Sequence, residues 1–167
     1  MSENITQTQE FFHGYAGDFN SIYSTRNGVL SSLVNRTLRR SMRLRYVKTL
    51  EGCQPIAGRT VLDIGCGPGH YGIALAQGGA RHVVGIDFAP GMIDLAQRQA
   101  EAAGVSACCR FLTGDFNDYT PDEPPDYVVV MGVMDYVAEP RPLIERVVRM
   151  ARRRAFFSFP VAGGVLA

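Results

Sequence analysis

Val61-Leu62-Asp63-Ile64-Gly65-Cys66-Gly67-Pro68-Gly69 is an apolar run with one acid near its end that breaks into glycines at three alternate positions. The run predicts a buried β-strand, and the glycines predict a tight turn where backbone comes close to a ligand. A helical pattern follows from Tyr71 to Gln77. Its first N–H groups and the positive end of its dipole would point into the same place. A nucleotide-like ligand is the first expectation.

Outward from this stretch the chain alternates strand and helix. The pattern predicts strand 60–64, helix 70–78, strand 82–87, helix 90–103, strands 108–112 and 126–131, helix 140–151 and strand 154–159. The strands at Val61, Val83 and Tyr127 are nearly continuous apolar runs, as expected when both faces of a sheet are covered. Gly78-Gly79 and Gly104 stand where two helices need left-handed caps. The alternation predicts an α/β fold with a parallel, doubly wound sheet. Residues 1–50 have a different texture. Phe11, Phe12, Tyr15, Phe19, Ile22 and Tyr23 recur at helical spacing. A second helix is expected from about Gly28 to Leu50, with Leu30, Leu33, Val34, Leu38, Met42, Leu44 and Val47 on its apolar side. Its other side carries Arg36, Arg39, Arg40, Arg43, Arg45 and Lys48, read first as a solvated basic face.

In such a sheet ligands bind beyond the carboxyl ends of the strands. Asp87, at the end of the second strand, is expected to accept hydrogen bonds from both hydroxyls of a ribose, at about 1.5–3 kcal/mol each. It also stands where it would cap the helix beginning near Pro90. Asp63 is an acid inside an apolar strand and is costly to bury unpaired. It fits either acceptance of the loop's own N–H groups or contact with a cationic ammonium on the ligand, directly or through water, and the two uses are compatible. Asp115, after Gly114, fits acceptance of an adenine amino group with Phe116 beside the ring, or a turn-forming role.

Gly67-Pro68-Gly69-His70-Tyr71-Gly72 formally satisfies the dinucleotide pattern G-x-G-x-x-G, with Asp87 about 20 residues on. Three features oppose that reading. The turn already starts at Gly65, Pro68 removes one N–H from the loop that would cradle a pyrophosphate, and Asp63 would repel two phosphates. The sign of the charge favours a cationic ligand.

VLDIGCGPG, VVGID, FLTGDF and DYVVVMGVMDYV, in this order, resemble class I S-adenosylmethionine-dependent methyltransferases across about residues 58–160. The resemblance implies a Rossmann-like fold with an incomplete seven-strand sheet. It divides the chain into an N-terminal helical lid, 1–52, and a cofactor-binding domain, 53–167. The implied activity is methyl transfer from S-adenosylmethionine to a small molecule, with S-adenosylhomocysteine as product. The implied cofactor shell is Asp63, Gly65, Cys66, Gly67, Gly69, Asp87, Phe88, Met92, Gly114, Asp115, Phe116, Met131 and Gly132. Tyr15, Tyr23, His70, Asp135 and Tyr136 are candidates for the lid or acceptor side, and none is selected as a catalytic base. The family's sheet continues past its fifth strand, whereas this chain stops about eight residues beyond it. A truncated chain is therefore expected, with an apolar edge strand open to a second copy. A non-catalytic cofactor-binding or assembly module and an NAD-dependent oxidoreductase are the alternatives.

Composition narrows the partners. A net charge of +1 over 167 residues offers no field for nucleic acid. The longest apolar runs fall short of a membrane span, and MSENITQTQEFF lacks the features of a signal peptide. A cytoplasmic protein is expected. Cys53, Cys66, Cys108 and Cys109 show no metal-ligand spacing with His13, His70 or His82. Free thiols are expected, with Cys108 and Cys109 on opposite faces of a strand.

Overall fold

The computed structural model describes residues 32–159, with side chains from residue 40 onward. Its elements in chain order are α1 Ser32–Gly52, β1 Thr60–Ile64, α2 His70–Gln77, β2 His82–Asp87 and α3 Pro90–Ala102, then β3 Cys109–Thr113, β4 Tyr127–Val130, α4 Pro140–Met150 and β5 Arg154–Phe157. Two 3-10 turns, Phe116–Asp118 and Met134–Tyr136, follow β3 and β4. The expected aromatic stripe with Tyr15 and Tyr23 lies outside the described residues.

All four strand pairings are parallel, in the order β3-β2-β1-β4-β5. The sheet is Rossmann-like and doubly wound, as the alternation of strands and helices predicts. The order reverses between β1 and β4, so the connections leaving these two strands diverge and open a crevice at their carboxyl ends. Side-chain alternation divides the core. Val61, Val83, Tyr127 and Val129 face the layer of Leu75, Ala76, Ile56 and Cys53. Leu62, Ile64, Ile86, Val128 and Val130 face Val147 and the half-buried Leu143 and Met150 of α4. On α4 these three residues recur at positions i, i+4 and i+7, one helical stripe, while Val148 on the other side is exposed.

The helix ends follow from local chemistry. Gly79 and Gly104 take φ of +101° and +70°. Beyond them the Ala80 and Val105 N–H groups reach back to the carbonyls of Leu75 and Ala100, which satisfies helix-end acceptors in the usual glycine-capped manner. Gly85 answers a different need. It pairs in register with Asp63 of β1 and Phe111 of β3, and the Phe111 ring lies across it. A Cβ there would stand 2.5 Å from Phe111 Cδ1 and 3.0 Å from Cys66 Sγ. Gly85→Ala is expected to destabilise the domain by about 1–3 kcal/mol through overpacking. Urea unfolding checks this, and an unchanged midpoint would show that the ring moves aside without cost.

Two expectations need correction. Among the described side chains, the predicted apolar side of α1 is exposed at Leu44 (57%) and Val47 (39%) and half-buried at Met42. Arg45 turns inward instead: Arg45, Thr49 and Gly52, one stripe along the helix, face the β4–β5 end of the sheet. Arg45 donates to Ser158 Oγ at 3.3 Å, Thr49 lies 4.0 Å from Met131 Sδ, and Arg154 donates to the Gly52 carbonyl at 2.8 Å. These polar contacts with a strand edge, which hydrophobic periodicity cannot report, position the helix together with Leu50, packed against the core, and the Tyr46 ring, 5.2 Å from that of Tyr71. Cys108 precedes β3 rather than lying in it, so strand alternation does not separate it from Cys109. Its thiol donates to Val105 O, and burial first, then the neighbouring Cys108, pushes the Cys109 thiol up to about 12. All four cysteines are free thiols.

Candidate functional site

The glycine turn after β1 is held by β2. Gly65 and Cys66 N–H groups both donate to Ile86 O, at 2.8 and 3.1 Å, and Gly69 N–H closes the turn on Cys66 O. Gly65, Gly67 and Gly69 have φ of +65°, +51° and +81°, a region that costs other residues about 1–2 kcal/mol each. The first and second differ in what surrounds them. A Cβ on Gly65 would collide with Val133 Cγ2, so this glycine lets the loops after β1 and β4 touch. A Cβ on Gly67 would meet nothing within 4 Å. The backbone at Gly67 is therefore approachable from the crevice.

Asp87 links this turn to α3. Its Oδ2 accepts the Gly67 N–H at 2.8 Å and its Oδ1 accepts the Ala89 N–H at 2.9 Å. Burial raises its proton affinity, opposed by these two N–H groups. A carboxylate offers about four acceptor positions, so two remain after both backbone bonds. Ala89, not Asp87, is the N-cap of α3. Phe88 is half-buried beside it and Met92 is buried in the first turn of α3.

Asp63 lies deeper, 1% exposed, on the sheet face covered by α2. Its Oδ2 accepts the Gly72 N–H at 3.3 Å. Burial pushes its pKa from 3.8 up to about 7, the Gly72 N–H opposing and the nearby Asp87 adding to the rise. The N–H partner is thus in the first turn of α2 and not, as the sequence had suggested, in the glycine loop itself. Cys66 is buried, and burial holds its thiol protonated well above the ordinary range.

Beyond β3 the Gly114 N–H donates to Asp87 O at 3.0 Å, so this loop also starts from the end of β2. Asp115 is exposed and its Oδ1 accepts the Asn117 N–H at 2.8 Å, capping the short turn. Phe116 is 6% exposed and joins the core with Ile64 and Ile86. The structure therefore separates the pair: Asp115 faces solvent and Phe116 is buried below it.

On the other lip Gly132 has φ of +73° and donates its N–H to Ser158 Oγ at 2.7 Å. Ser158 also receives Arg45, so one hydroxyl joins the ends of β4 and β5 to α1. Beside it an open cleft of about 380 Å³ is lined by Arg45, Lys48, Thr49, Met131, Phe156 and Phe157 among others. Asp135 and Tyr136 are exposed in the turn after β4, with burial and then Asp135 raising the Tyr136 pKa. His70 opens α2 half-buried, and burial lowers its pKa. Among the described residues no cluster of three His, Cys, Asp or Glu is placed to hold a metal, and no helix is long and apolar enough to cross a membrane.

The sequence profile of the methyltransferase domain family matches residues 61–154, from β1 to the start of β5. The chain belongs to the methyltransferase domain family. A ubiquinone biosynthesis O-methyltransferase from Methylobacterium sp. (strain 4-46) is 43% identical over 88 residues, 53% of this chain and 34% of that protein. A tRNA U34 carboxymethyltransferase from Shewanella pealeana is 32% identical over 96 residues, 58% of this chain and 29% of that protein. The chain thus matches about a third of the length of these curated relatives. The solved magnesium protoporphyrin IX methyltransferase of Synechocystis PCC 6803, with bound SAM, superimposes with a TM-score of 0.77 at 24% identity, covering 96% of this chain and 78% of that one. At that identity the likeness establishes the methyltransferase fold.

Arg45, Thr49 and Ser158 escaped the sequence reading. Arg45 belonged to an apparently solvated basic run, and a lone serine after a strand carries no pattern. Arg146 escaped it too, being one arginine among several on an amphipathic helix.

Proposed function

We propose that the chain is an S-adenosylmethionine-dependent methyltransferase acting on a small-molecule acceptor. The observation that carries the proposal is the acidic glycine turn. Asp63 and Asp87 flank a backbone segment left open at Gly67, an arrangement that favours a cationic amino-acid nucleoside over a polyanion. The residues fit this cofactor. Asp87 retains two acceptor positions for the ribose hydroxyls, Gly65, Cys66, Gly67 and Gly69 would pass beside its amino-acid part, and Asp115 would accept the adenine amine. Phe88, Met92, Gly114, Met131 and Gly132 complete the cofactor-binding shell, while Phe116 supports it from the core. Asp63 would favour the ammonium group electrostatically from beneath the turn.

Bound S-adenosylmethionine supplies the activated methyl carbon and the leaving thioether. The protein contributes alignment, worth about 7–11 kcal/mol at best. It also shields the site from water, a role proposed for the lid of residues 1–52 with Tyr15 and Tyr23. His70, Asp135 and Tyr136 stand on the acceptor side, and no base is assigned among them. Acceptor identity belongs to the whole protein. The same reading gives a cytoplasmic enzyme that binds no nucleic acid and pairs with a second copy along β5, the edge of the sheet among the described residues.

Calorimetry with S-adenosylmethionine and S-adenosylhomocysteine is expected to show one site per chain, and absence of binding to either overturns the proposal. Labelled methyl transfer to a metabolite mixture, with tRNA as a parallel arm, is expected to label the small molecules. Labelling of tRNA alone would reassign the acceptor. Sedimentation as a monomer would remove the paired edge.

A further inference from the structure

Thirteen residues connect β3 to β4, and their only regular structure is the three-residue turn Phe116–Asp118. A 3-10 turn of this length has poor hydrogen-bond geometry and does not hold a long connection in place by itself. Its position comes from α4. Arg146 donates from one terminal nitrogen to Asn117 O at 2.8 Å and from the other to Tyr119 O at 2.6 Å. Its guanidinium carbon also lies 4.5 Å from the centroid of the Phe116 ring. The planar fork thus spans the turn, while the ring beneath sets its height. Arginine suits this task because its two donor sites are fixed relative to one another and its flat cation stacks on an aromatic face. No carboxylate among the described residues forms a salt bridge with Arg146.

Asp115 depends on that turn. The Asn117 N–H that fixes Asp115 Oδ1 belongs to the same residue whose carbonyl Arg146 holds. Among the described residues Asp115 Oδ2 accepts no hydrogen bond, which leaves it for a donor in the crevice. We infer that Arg146 is a positioning residue for cofactor selectivity: by clamping residues 116–119 it aims the Asp115 carboxylate at the exocyclic amine of an adenine. The inference rests on the proposed function, and it assigns a role to α4, on the far side of the loop from the ligand.

The test is binding of S-adenosylhomocysteine and of its 6-deamino analogue, which carries hydrogen in place of the amine. The wild-type chain is expected to prefer S-adenosylhomocysteine on the order of 10- to 100-fold, the value of one hydrogen bond to a charged acceptor. Arg146→Met keeps an unbranched stem over Phe116 and removes both donors. Its preference is expected to fall to about 1- to 3-fold, with affinity for the deamino analogue nearly unchanged. Arg146→Lys keeps the charge without the fork, should fold if the methionine variant does not, and is expected to retain only part of the preference. General loss of structure would weaken both ligands together and keep the ratio. A wild-type ratio retained in either folded variant overturns the inference. So does a wild type that binds both ligands equally. A wild type that binds neither defeats the proposed function instead.

Discussion

Asp87→Ala is expected to weaken binding of S-adenosylhomocysteine by about two to four orders of magnitude. Two hydrogen bonds from ribose hydroxyls to one carboxylate, at about 1.5–3 kcal/mol each, account for a loss of this size. The substitution also strips the Gly67 and Ala89 N–H groups of their acceptor. The glycine turn and the start of α3 therefore loosen, and a fall in Tm is expected as well. A 2′,3′-dideoxy analogue of S-adenosylhomocysteine separates the two effects. Wild-type protein should bind it as poorly as the variant binds the parent ligand. The variant should lose little more on going to the dideoxy form, because the interaction is already absent. An equal penalty for the missing hydroxyls in both proteins would show that Asp87 holds the turn and does not touch the ribose.

Asp63→Asn is expected to abolish a large pH dependence of stability. The folded protein keeps the Asp63 proton up to about pH 7, whereas an unfolded chain releases it near 3.8. Between these values the native state binds more protons than the unfolded state, so this group's contribution falls as pH rises. Above about pH 7 the whole cost of ionising a buried carboxyl is present, on the order of 4 kcal/mol. The substituted carboxamide has no proton to lose and still offers an oxygen to the Gly72 N–H. Its added amide donors shift stability by an amount that does not vary with pH. The informative quantity is therefore the difference in Tm between the two proteins across pH 4 to 8. It should move in favour of the variant up to about pH 7 and then level. His70 and Asp87, whose proton affinities also change on folding, remain in both proteins, so their contributions largely cancel. Cofactor binding is expected to reverse the cost, since a cationic ligand favours the ionised acid. Calorimetry at pH 6 in buffers of different ionisation enthalpy should show proton release by the wild type and not by Asp63→Asn. A flat Tm difference would mean that Asp63 is ionised throughout.

The strand-turn-helix elements around Val61 were legible because each depends on spacing within a few residues. The apolar runs at Val61, Val83 and Tyr127 marked strands covered on both faces, and Asp63 stood out as an acid no apolar strand needs. Element ends shifted by a residue or two, as at Tyr127–Val130, where the ladder stops before the apolar run does. On α1, Leu44 and Val47 fit the helical stripe yet are exposed among the described residues, while Arg45 between them turns to the sheet. Phe116 and Asp115 were read as a pair from adjacency, although a turn sends neighbouring side chains in different directions.

By itself the sequence determined the parallel α/β sheet, the glycine turn and the acids at the ends of β1 and β2. Those features are local: hydrophobic period, positive-φ glycines and a charge at a strand end are all written within a turn or two of chain. Only the tertiary structure decided which distant polar side chains meet around the strand ends. Arg45 meets Ser158 across 113 residues and Arg146 meets Asn117 across 29. No spacing rule couples such distant positions. Their side chains are polar, so the hydrophobic pattern that places strands and helices is silent about them. Folding brings them together once the sheet has set where β4, β5 and α4 lie.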